Sequence, residues 1–442
     1  MALTQTKIIV IDDDPTGSQT VHSCLLLTRW DVETLKQGLC DTAPLFFVLS
    51  NSRGMSASSA TSLTRNICHN LRTALDALAA EGIAINPLLV SRSDSTLRGH
   101  YPIETDVIAE ELGPFDAHFM VPAFFEGGRI TRDSTHYLIV DGDAVPVHET
   151  EFAKDSVFAY SHSYLPDYVE EKTHGRIKAS EVERFVLADV RGDVMPRLLA
   201  LKDNQCCVVD SETQQDLNHF CTQLMQAAAQ GKRFLFRSAA SLLTALAQLP
   251  PQPVAAEKMH AYVRNNMPGA VIVGSHVKKT TQQLKQLLQQ DGIEGIEVNV
   301  ARLASQREQL LQEIITKAEF CHVNNITPVI YTSRTELLFD HQQARLDFGE
   351  TVSSFLMDVV KHLPSTIGFL ISKGGITSND VLSTGLALRA ARVAGQIHAG
   401  CSVVCCPHDH PRYPDLPVVI FPGNVGDEHA LADVYRRLKP QN

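Results

Sequence analysis

The chain has 442 residues, 44% hydrophobic and 20% charged, an ordinary globular composition with enough length for more than one core. A formal net charge of -11 argues against general nucleic-acid binding, so an anionic ligand would need locally placed arginines, lysines or helix N-termini. Ten cysteines without a CxxC pair indicate reduced thiols and a cytoplasmic protein. No signal core and no apolar run of about 18 residues is found, so no membrane partner is expected.

Apolar runs alternate with helical patterns along the first half of the chain. Strands are predicted at residues 8–11, 45–49, 88–91, 118–121, 186–188, 207–209 and 234–236. Helices are predicted at residues 56–80, 104–111, 213–230 and 239–247. This alternation is typical of βαβ units around a mostly parallel sheet. The segment 149–176, rich in His, Tyr and charged residues, is predicted to be a surface excursion.

A proline-rich stretch at 249–253 interrupts this pattern and indicates a domain boundary near 250–268. Beyond it, strands are predicted at 270–273, 329–332, 367–371, 403–405 and 418–421, and a helix is predicted at 379–394. The sequence therefore predicts two α/β domains with mostly parallel sheets. Their expected ranges are 1–250 for a substrate-binding domain, 251–268 for a linker and 269–442 for a nucleotide-binding domain.

The first predicted strand runs directly into three carboxylates, Asp12, Asp13 and Asp14. Ligands of α/β sheets bind beyond the carboxyl ends of strands, and adjacent acids repel unless a cation or N–H groups compensate them. The pattern Asp12-x-Asp14-x-Thr16 resembles the nucleophile motif of haloacid-dehalogenase-type phosphatases, with Asp12 as nucleophile. An acidic turn with a capping Asp or Thr is the alternative.

Three later strand ends also carry polar residues. They contain Arg53, then Arg92, Asp94 and Arg98, and then Gly128 and Arg129. Arginine can bind a carboxylate in bidentate fashion, hydroxyl-rich loops suit polyols, and Asp94 could orient or deprotonate a substrate hydroxyl. Because parallel strands end at one edge, we expect these loops to gather there. Each loop alone could equally be a capping loop or a hairpin turn.

The second half lacks the GxxxxGK[ST] motif, which excludes a P-loop enzyme. Glycines instead follow predicted strands at 274, 374–375 and 423, where backbone N–H groups could approach an anion. A tight strand-to-helix turn is the alternative for each. The cluster Cys405-Cys406-x-His408-x-His410 has soft ligands in a proline-bracketed loop, and no metal site is predicted there.

Together these segments resemble the four-carbon acid sugar kinases over almost the whole chain. The N-terminal matches are DDPTG at 13–17, DSTLRG at 94–99 and GRIT at 128–131, and the C-terminal ones are residues 274–283, 372–378 and 423–427. The resemblance implies ATP-dependent phosphorylation of the terminal hydroxyl of a tetronate or 3-oxo-tetronate, with Mg²⁺. It also implies that substrate and nucleotide bind in the cleft between the domains.

The resemblance also assigns site residues. Either Asp14 or Asp94 is the catalytic base, and the sequence does not choose between them. Substrate-binding residues are Asp13, Thr16, Arg53, Arg92, Arg98, Gly128 and Arg129. Nucleotide-binding residues are Ser275, Gly374, Gly375, Ile376, Thr377, Gly423 and Asn424.

The chain departs from the family at Phe421-Pro422, which stand where Lys-Ser is common. A basic contact to the nucleotide is then missing or supplied by Lys373. Two alternatives therefore stay open: a phosphatase, and a non-catalytic sugar-acid-binding protein on the kinase fold. A small acid sugar is the expected partner, and a homodimer is one option for the assembly.

Overall fold

The computed structural model describes residues 5–334, 342–423 and 425–441. The chain divides into two compact units, Met1–Pro250 and Pro251–Asn442. Each is an α/β unit, which confirms the predicted fold class. None of the described helices is both long and apolar enough to cross a membrane.

Unit 1 contains eleven strands and eight α-helices among its described residues. The strands are β1 Gln5–Asp12, β2 Leu25–Leu27, β3 Leu45–Leu49, β4 Ile85–Arg92, β5 Ala117–Val121, β6 Arg129–Arg132, β7 Thr135–Val140, β8 Asp143–Pro146, β9 Glu183–Phe185, β10 Gln205–Val209 and β11 Phe234–Ser238. The helices are α1 Val32–Cys40, α2 Ala57–Ala80, α3 Ile103–Leu112, α4 Leu165–Lys172, α5 Leu187–Val190, α6 Met195–Ala200, α7 Gln214–Ala229 and α8 Ala240–Ala247.

The main sheet of unit 1 has the order β2-β3-β1-β4-β11-β5-β10-β9, and every pair in it is parallel. Residues 8–11 of β1 are apolar and buried, as expected for an interior strand covered on both faces. The register places Asp12 opposite both Leu49 and Arg92. The loops after β1, β3 and β4 therefore start side by side at one edge. Strands β6, β7 and β8 form a separate antiparallel sheet.

Two sequence predictions for unit 1 are wrong. Residues 186–188 begin helix α5 instead of forming a strand, because Asp189 accepts a hydrogen bond from the backbone N–H of Val186 and caps the turn. The segment 149–176 is not a surface excursion, since Tyr160 and Tyr168 are buried in an apolar cluster. The many His, Tyr and charged residues of the segment led to the wrong prediction, although Tyr160 and Tyr168 pack into the core.

Unit 2 contains seven strands and five α-helices among its described residues. The strands are β12 Ala270–Val273, β13 Ile293–Val298, β14 Thr327–Thr332, β15 Leu370–Lys373, β16 Ala390–His398, β17 Cys401–Cys405 and β18 Pro417–Phe421. The helices are α9 Lys278–Leu287, α10 Leu303–Val323, α11 Gln342–His362, α12 Gly375–Asp380 and α13 Ala430–Leu438.

The sheet of unit 2 has the order β13-β14-β12-β15-β18-β17-β16. Its first five strands are parallel, whereas β17 and β16 are antiparallel to their neighbours. The predicted helix at 379–394 is wrong beyond Gly385: α12 ends at Asp380, a π-helical turn continues to Gly385, and Ala387 adopts a φ of 50° before β16. Pairing with β17 overrides the helical preference of this alanine-rich segment.

The segment predicted as a linker has structure of its own. It contains 3-10 helices at Ala256–Tyr262 and Arg264–Asn266. Met259 is fully buried in the core of unit 2. These residues therefore pack as part of the second unit.

Candidate functional site

The loops after β1, β3 and β4 are joined through their backbones at the edge of the sheet in unit 1. The carbonyl oxygen of Asp12 accepts hydrogen bonds from the N–H of Ser50 at 2.9 Å and of Asn51 at 3.3 Å. The N–H of Asp13 donates to the carbonyl oxygen of Arg92 at 3.2 Å. The parallel sheet thus brings the predicted strand-end residues together.

Arg53 lies at the centre of this cluster. Its Nη2 is 2.5 Å from Asp13 Oδ1, its Nη1 is 3.2 Å from Asp14 Oδ2, and Nη1 is also 4.0 Å from Asp94 Oδ1. Burial alone would lower the pKa of Arg53, but the three carboxylates outweigh it and raise that pKa well above its usual value. One guanidinium therefore holds together three acids that would otherwise repel each other.

Asp14 and Asp94 are the two candidate bases, and both stay ionised at neutral pH. Burial acts to raise the pKa of Asp14, but Arg53, Arg92 and hydrogen bonds from Thr16 lower it overall. Burial likewise acts against ionisation of Asp94, yet Arg53 and Arg98 hold its pKa well below the usual range. Each carboxylate can therefore accept a hydrogen bond from a hydroxyl group.

The two bases differ in which carboxylate oxygen is occupied. Oδ1 of Asp14 accepts both the N–H and the hydroxyl of Thr16, at 2.8 and 2.5 Å, and its Oδ2 accepts from Arg53. Oδ2 of Asp94 accepts from Arg98 Nε at 2.8 Å and from the Thr96 hydroxyl. Within the described part of the chain, Oδ1 of Asp94 accepts no hydrogen bond. Of the four carboxylate oxygens of Asp14 and Asp94, it is the one that accepts no hydrogen bond from the described residues.

The loop that carries Asp94 is fixed from behind by side chains that sequence reasoning missed. Five consecutive carbonyl oxygens, 94–98, each have a side-chain partner. The partners are Arg237 for Asp94 and Arg98, His136 for Ser95, Tyr160 for Thr96, and Tyr168 for Leu97, at 2.7 to 3.1 Å. Burial lowers the pKa of His136 to about 4, so the ring is neutral and its Nε2–H donates. No local signal could have found these partners.

Gly99, the last residue of the DSTLRG motif, is required by close packing. Its φ of 123° lies in the left-handed region. A Cβ at this position would lie 2.2 Å from Ser93 Oγ and 3.1 Å from Asp13 Oδ2. Ser93 Oγ in turn donates to Asp13 Oδ2 at 2.7 Å. The glycine therefore allows Ser93 to hold Asp13 in place.

Asp12 is enclosed beneath the site. Its side chain is fully buried, Oδ1 lies 3.4 Å from Arg92 Nη1, and a Cβ on Gly17 would lie 1.7 Å from Oδ2. Oδ2 has no hydrogen-bond partner among the residues described. Burial raises the pKa of Asp12 to about 7, although Arg92 opposes this. An enclosed carboxylate cannot easily attack a phosphate ester, so this geometry does not favour the phosphatase interpretation.

Asp12→Asn should change how stability depends on pH. Because the folded pKa of Asp12 lies above its ordinary value, charging it costs stability as the pH rises through about 7. Asparagine has no charge to acquire. The unfolding free energy of the variant, relative to that of the wild type, should therefore rise by about 2 kcal/mol from pH 5 to pH 8, as measured by urea unfolding. The control, Asp76→Asn at an exposed position, should show the same difference at both pH values. A difference in unfolding free energy between Asp12→Asn and the wild type that is the same at both pH values would contradict the raised pKa of Asp12.

Arg129 and Gly128 lie at the start of β6, and Gly128 adopts a φ of 73°. The Arg129 guanidinium is 6.0 Å from the ring of Phe152, and that of Arg98 is 5.0 Å from the same ring. Arg98 Nη1 also lies 3.5 Å from Asp155 Oδ2. Phe152 and Asp155 were missed because they belong to the segment that had been predicted as a surface excursion.

In unit 2, three strand-end loops approach one another. Thr280 Oγ1 lies 3.2 Å from Ser275 Oγ and donates to the carbonyl oxygen of Gly423 at 3.2 Å. A Cβ on Gly274 would lie 2.3 Å from Thr377 Oγ1. The predicted nucleotide motifs at 274, 374–377 and 423 thus converge, with Gly375 at the start of α12.

The remaining predicted nucleotide residues differ in position. Ile376 is 73% exposed, and Gly374 adopts a φ of 123°. Asn424 lies outside the described residues.

Lys373 is buried under the last of these loops. Its Nζ donates to the carbonyl oxygens of Pro422 at 2.5 Å and Gly423 at 3.3 Å, and lies 4.1 Å from the centre of the Phe421 ring. Burial lowers its pKa to about 7. Lys373 therefore supports the loop instead of offering an exposed charge. Arg334, which the sequence analysis missed, donates from Nη1 to the Ser275 carbonyl oxygen at 2.6 Å.

The histidines of the cluster Cys405-Cys406-x-His408-x-His410 contact protein groups in unit 2. His408 Nδ1 lies 2.7 Å from Asp415 Oδ2, and His410 Nε2 lies 2.8 Å from the carbonyl oxygen of Leu386. Among the described residues, no group of three His, Cys, Asp or Glu side chains could hold a metal ion.

Fold and site together define a protein of two α/β units, each with polar loops gathered at the carboxyl ends of its parallel strands. Residues 8–246 match the family described as a sugar-binding N-terminal domain, and residues 270–431 match the nucleotide-binding C-terminal domain. The chain belongs to the four-carbon acid sugar kinase family.

Two curated relatives are similar to parts of the chain. It is 27% identical over 216 residues to a D-erythronate kinase from Heliobacterium modesticaldum, covering 48% of this chain and 46% of the relative. It is 30% identical over 165 residues to a D-threonate kinase from Bordetella bronchiseptica, covering 36% and 37%. The matched regions span less than half the length of either relative.

Two solved structures have the same fold over nearly their whole length. A Salmonella typhimurium LT2 protein provisionally named a tRNA synthase has a TM-score of 0.72 at 19% identity, covering 97% of this chain and 99% of that one. A Haemophilus influenzae protein from a family of unknown function has a TM-score of 0.66 at 16% identity, covering 97% and 100%. At these identities the similarity establishes the fold alone.

Proposed function

We propose that this protein is an ATP-dependent kinase for a four-carbon acid sugar. It transfers the terminal phosphoryl group of ATP to the terminal hydroxyl of a tetronate or 3-oxo-tetronate and yields the 4-phosphate. The observation that carries this proposal is the cluster in which Arg53 holds Asp13, Asp14 and Asp94 together at the edge of the sheet. The kinase activities of the two curated relatives support it.

Asp94 is the proposed base for the reacting hydroxyl. Phosphoryl transfer depends mainly on positioning and charge stabilisation, so the base needs a fixed carboxylate more than a high pKa. Oδ1 of Asp94 accepts no hydrogen bond from the described residues, and the loop of Asp94 is fixed through five carbonyl oxygens. Asp14, with both oxygens occupied, would orient a second hydroxyl.

The nucleotide would bind where the three loops of unit 2 converge. Glycines there bring backbone close to a ligand, and the hydroxyls of Ser275 and Thr377 lie beside them. Mg²⁺ usually keeps water and phosphate ligands and needs only one or two protein oxygens, so this donor set fits a metal ion carried mainly by the ATP phosphates. Bound Mg²⁺ would neutralise charge on the transferring group.

A panel assay tests the proposal. The protein is incubated with ATP, Mg²⁺ and each of D-erythronate, D-threonate, L-threonate and their 3-oxo analogues, and ADP release is measured. We expect release that depends on both Mg²⁺ and one of these acids. ATP binding without release would favour the non-catalytic binding protein. Hydrolysis of a phosphate ester that Asp12→Asn abolishes would favour the phosphatase.

The homodimer is a separate prediction, and a measurement of the molecular mass in solution tests it.

A further inference from the structure

The arginines of the site in unit 1 differ in their partners. Three of them are paired with carboxylates of the chain itself: Arg53 with Asp13 and Asp14, Arg92 with Asp12, and Arg98 with Asp94 and Asp155. Arg129 is different, because no carboxylate in the described ranges lies within 4.0 Å of its guanidinium. Its positive charge is therefore not neutralised by an ion pair.

The surroundings of Arg129 strengthen this contrast. Its guanidinium lies between two aromatic rings, 5.9 Å from the centre of Phe124 and 6.0 Å from that of Phe152. Its Nη1 donates to the carbonyl oxygen of Gly127, and its buried Nε has no partner among the described residues. Aromatic faces attract a cation without cancelling its charge, and a partly apolar setting strengthens its attraction for an anion.

Burial and two nearby charges act on Arg129. Burial is the main cause that lowers the pKa of Arg129, and Arg98 lowers it further although Asp94 raises it. The guanidinium nevertheless stays protonated, since arginine does not lose its proton in proteins. A negatively charged ligand group that pairs with the guanidinium would offset the cost of burying its charge.

We propose that Arg129 binds the carboxylate of the acid sugar, so that this residue determines the preference for an acid over a neutral polyol. This assignment rests on the proposed kinase function. A tetronate carries one carboxylate and several hydroxyls, and Asp14 and Asp94 would repel the carboxylate while accepting the hydroxyls. Among the four strand-end arginines Arg53, Arg92, Arg98 and Arg129, Arg129 is the one that has no carboxylate partner within the described residues.

The test compares an acid and a neutral ligand in Arg129→Gln. Steady-state kinetics give KM and kcat for the tetronate that the wild type uses best, and competition gives Ki for the tetritol of the same configuration, which has CH₂OH in place of the carboxylate. Loss of a charge-assisted interaction should raise the tetronate KM by about 10- to 150-fold, with kcat within about 3-fold and the tetritol Ki unchanged. Arg129→Lys should recover part of the loss.

The matched control is Arg132→Gln, at an exposed arginine on the same strand that pairs with Glu212. It should behave as the wild type. An unchanged tetronate KM in Arg129→Gln, or equal increases in KM and tetritol Ki, would overturn the assignment. A tetritol that binds too weakly for a Ki leaves the decision to the tetronate KM, the constant kcat and the lysine rescue. A wild type that phosphorylates no tetronate would reject the proposed function instead, so the two failures are distinct.

Discussion

Asp94→Asn is expected to lower kcat/KM for the acid sugar by about 10³-fold, within the range that a positioned acid–base group contributes. The asparagine keeps the size of the side chain but removes the negative charge that would accept the hydroxyl proton. It also weakens the pair with Arg98, which lies 2.8 Å from the carboxylate. Because Arg237, His136 and the tyrosines hold the loop through its backbone, the fold should remain.

The measurement is steady-state ADP release together with a thermal unfolding curve. Asp143→Asn, at an exposed position in the β-hairpin, serves as the control and should retain full activity. Asp14→Asn distinguishes the two candidate bases, since a positioning residue should raise KM more than it lowers kcat. Activity of Asp94→Asn within about 10-fold of the wild type, with Asp14→Asn inactive, would reverse the assignment of the base.

Arg53→Met is expected to have the largest effect on stability. It removes the cation shared by Asp13, Asp14 and Asp94, and breaking a buried ion pair from one side costs about 3–5 kcal/mol. The cost should depend on pH. In the wild type the lowered pKa values of Asp14 and Asp94 contribute stability that is present at neutral pH and lost as the pH falls through those values.

Without Arg53 those carboxylates should titrate at higher pH, so protonating them should relieve the repulsion. The loss in unfolding free energy is therefore expected to be larger at pH 7 than at pH 4, as measured by denaturant titration. Arg72→Met is the matched control, because Arg72 is exposed, its one ion pair within the described residues is with Glu111, and its loss should cost less than about 1 kcal/mol. A loss for Arg53→Met that is the same at both pH values would show that its charge is not what matters.

The sequence was most informative where local pattern and tertiary structure agree. The strands at 45–49 and 270–273 form as predicted because short apolar runs between turns are buried on both faces of a parallel sheet. Parallel pairing also explains why the strand-end residues could be expected to meet at one edge. The helix predicted at 379–394 failed because pairing with β17 decides the conformation of β16.

The rest of the site could not be read from the sequence because it depends on which charges pair. Arg53, Arg92, Arg98 and Arg129 look equivalent as residues following strands, yet three lie beside aspartates and, within the described residues, Arg129 does not. Tyr160, Tyr168 and Arg237 fix the Asp94 loop from positions 64 to 143 residues away in the chain. Contacts over such separations leave no local pattern.

The most direct test of the kinase proposal is the proton-coupled ³¹P NMR spectrum of the product formed from ATP, Mg²⁺ and the preferred acid sugar. A phosphate ester on the terminal CH₂ group couples to two protons, so the proposal predicts a new triplet that grows as ATP is consumed. A doublet would show phosphorylation of a secondary hydroxyl and contradict the terminal position. Inorganic phosphate alone, or no new signal with any acid in the panel, would contradict the kinase function itself.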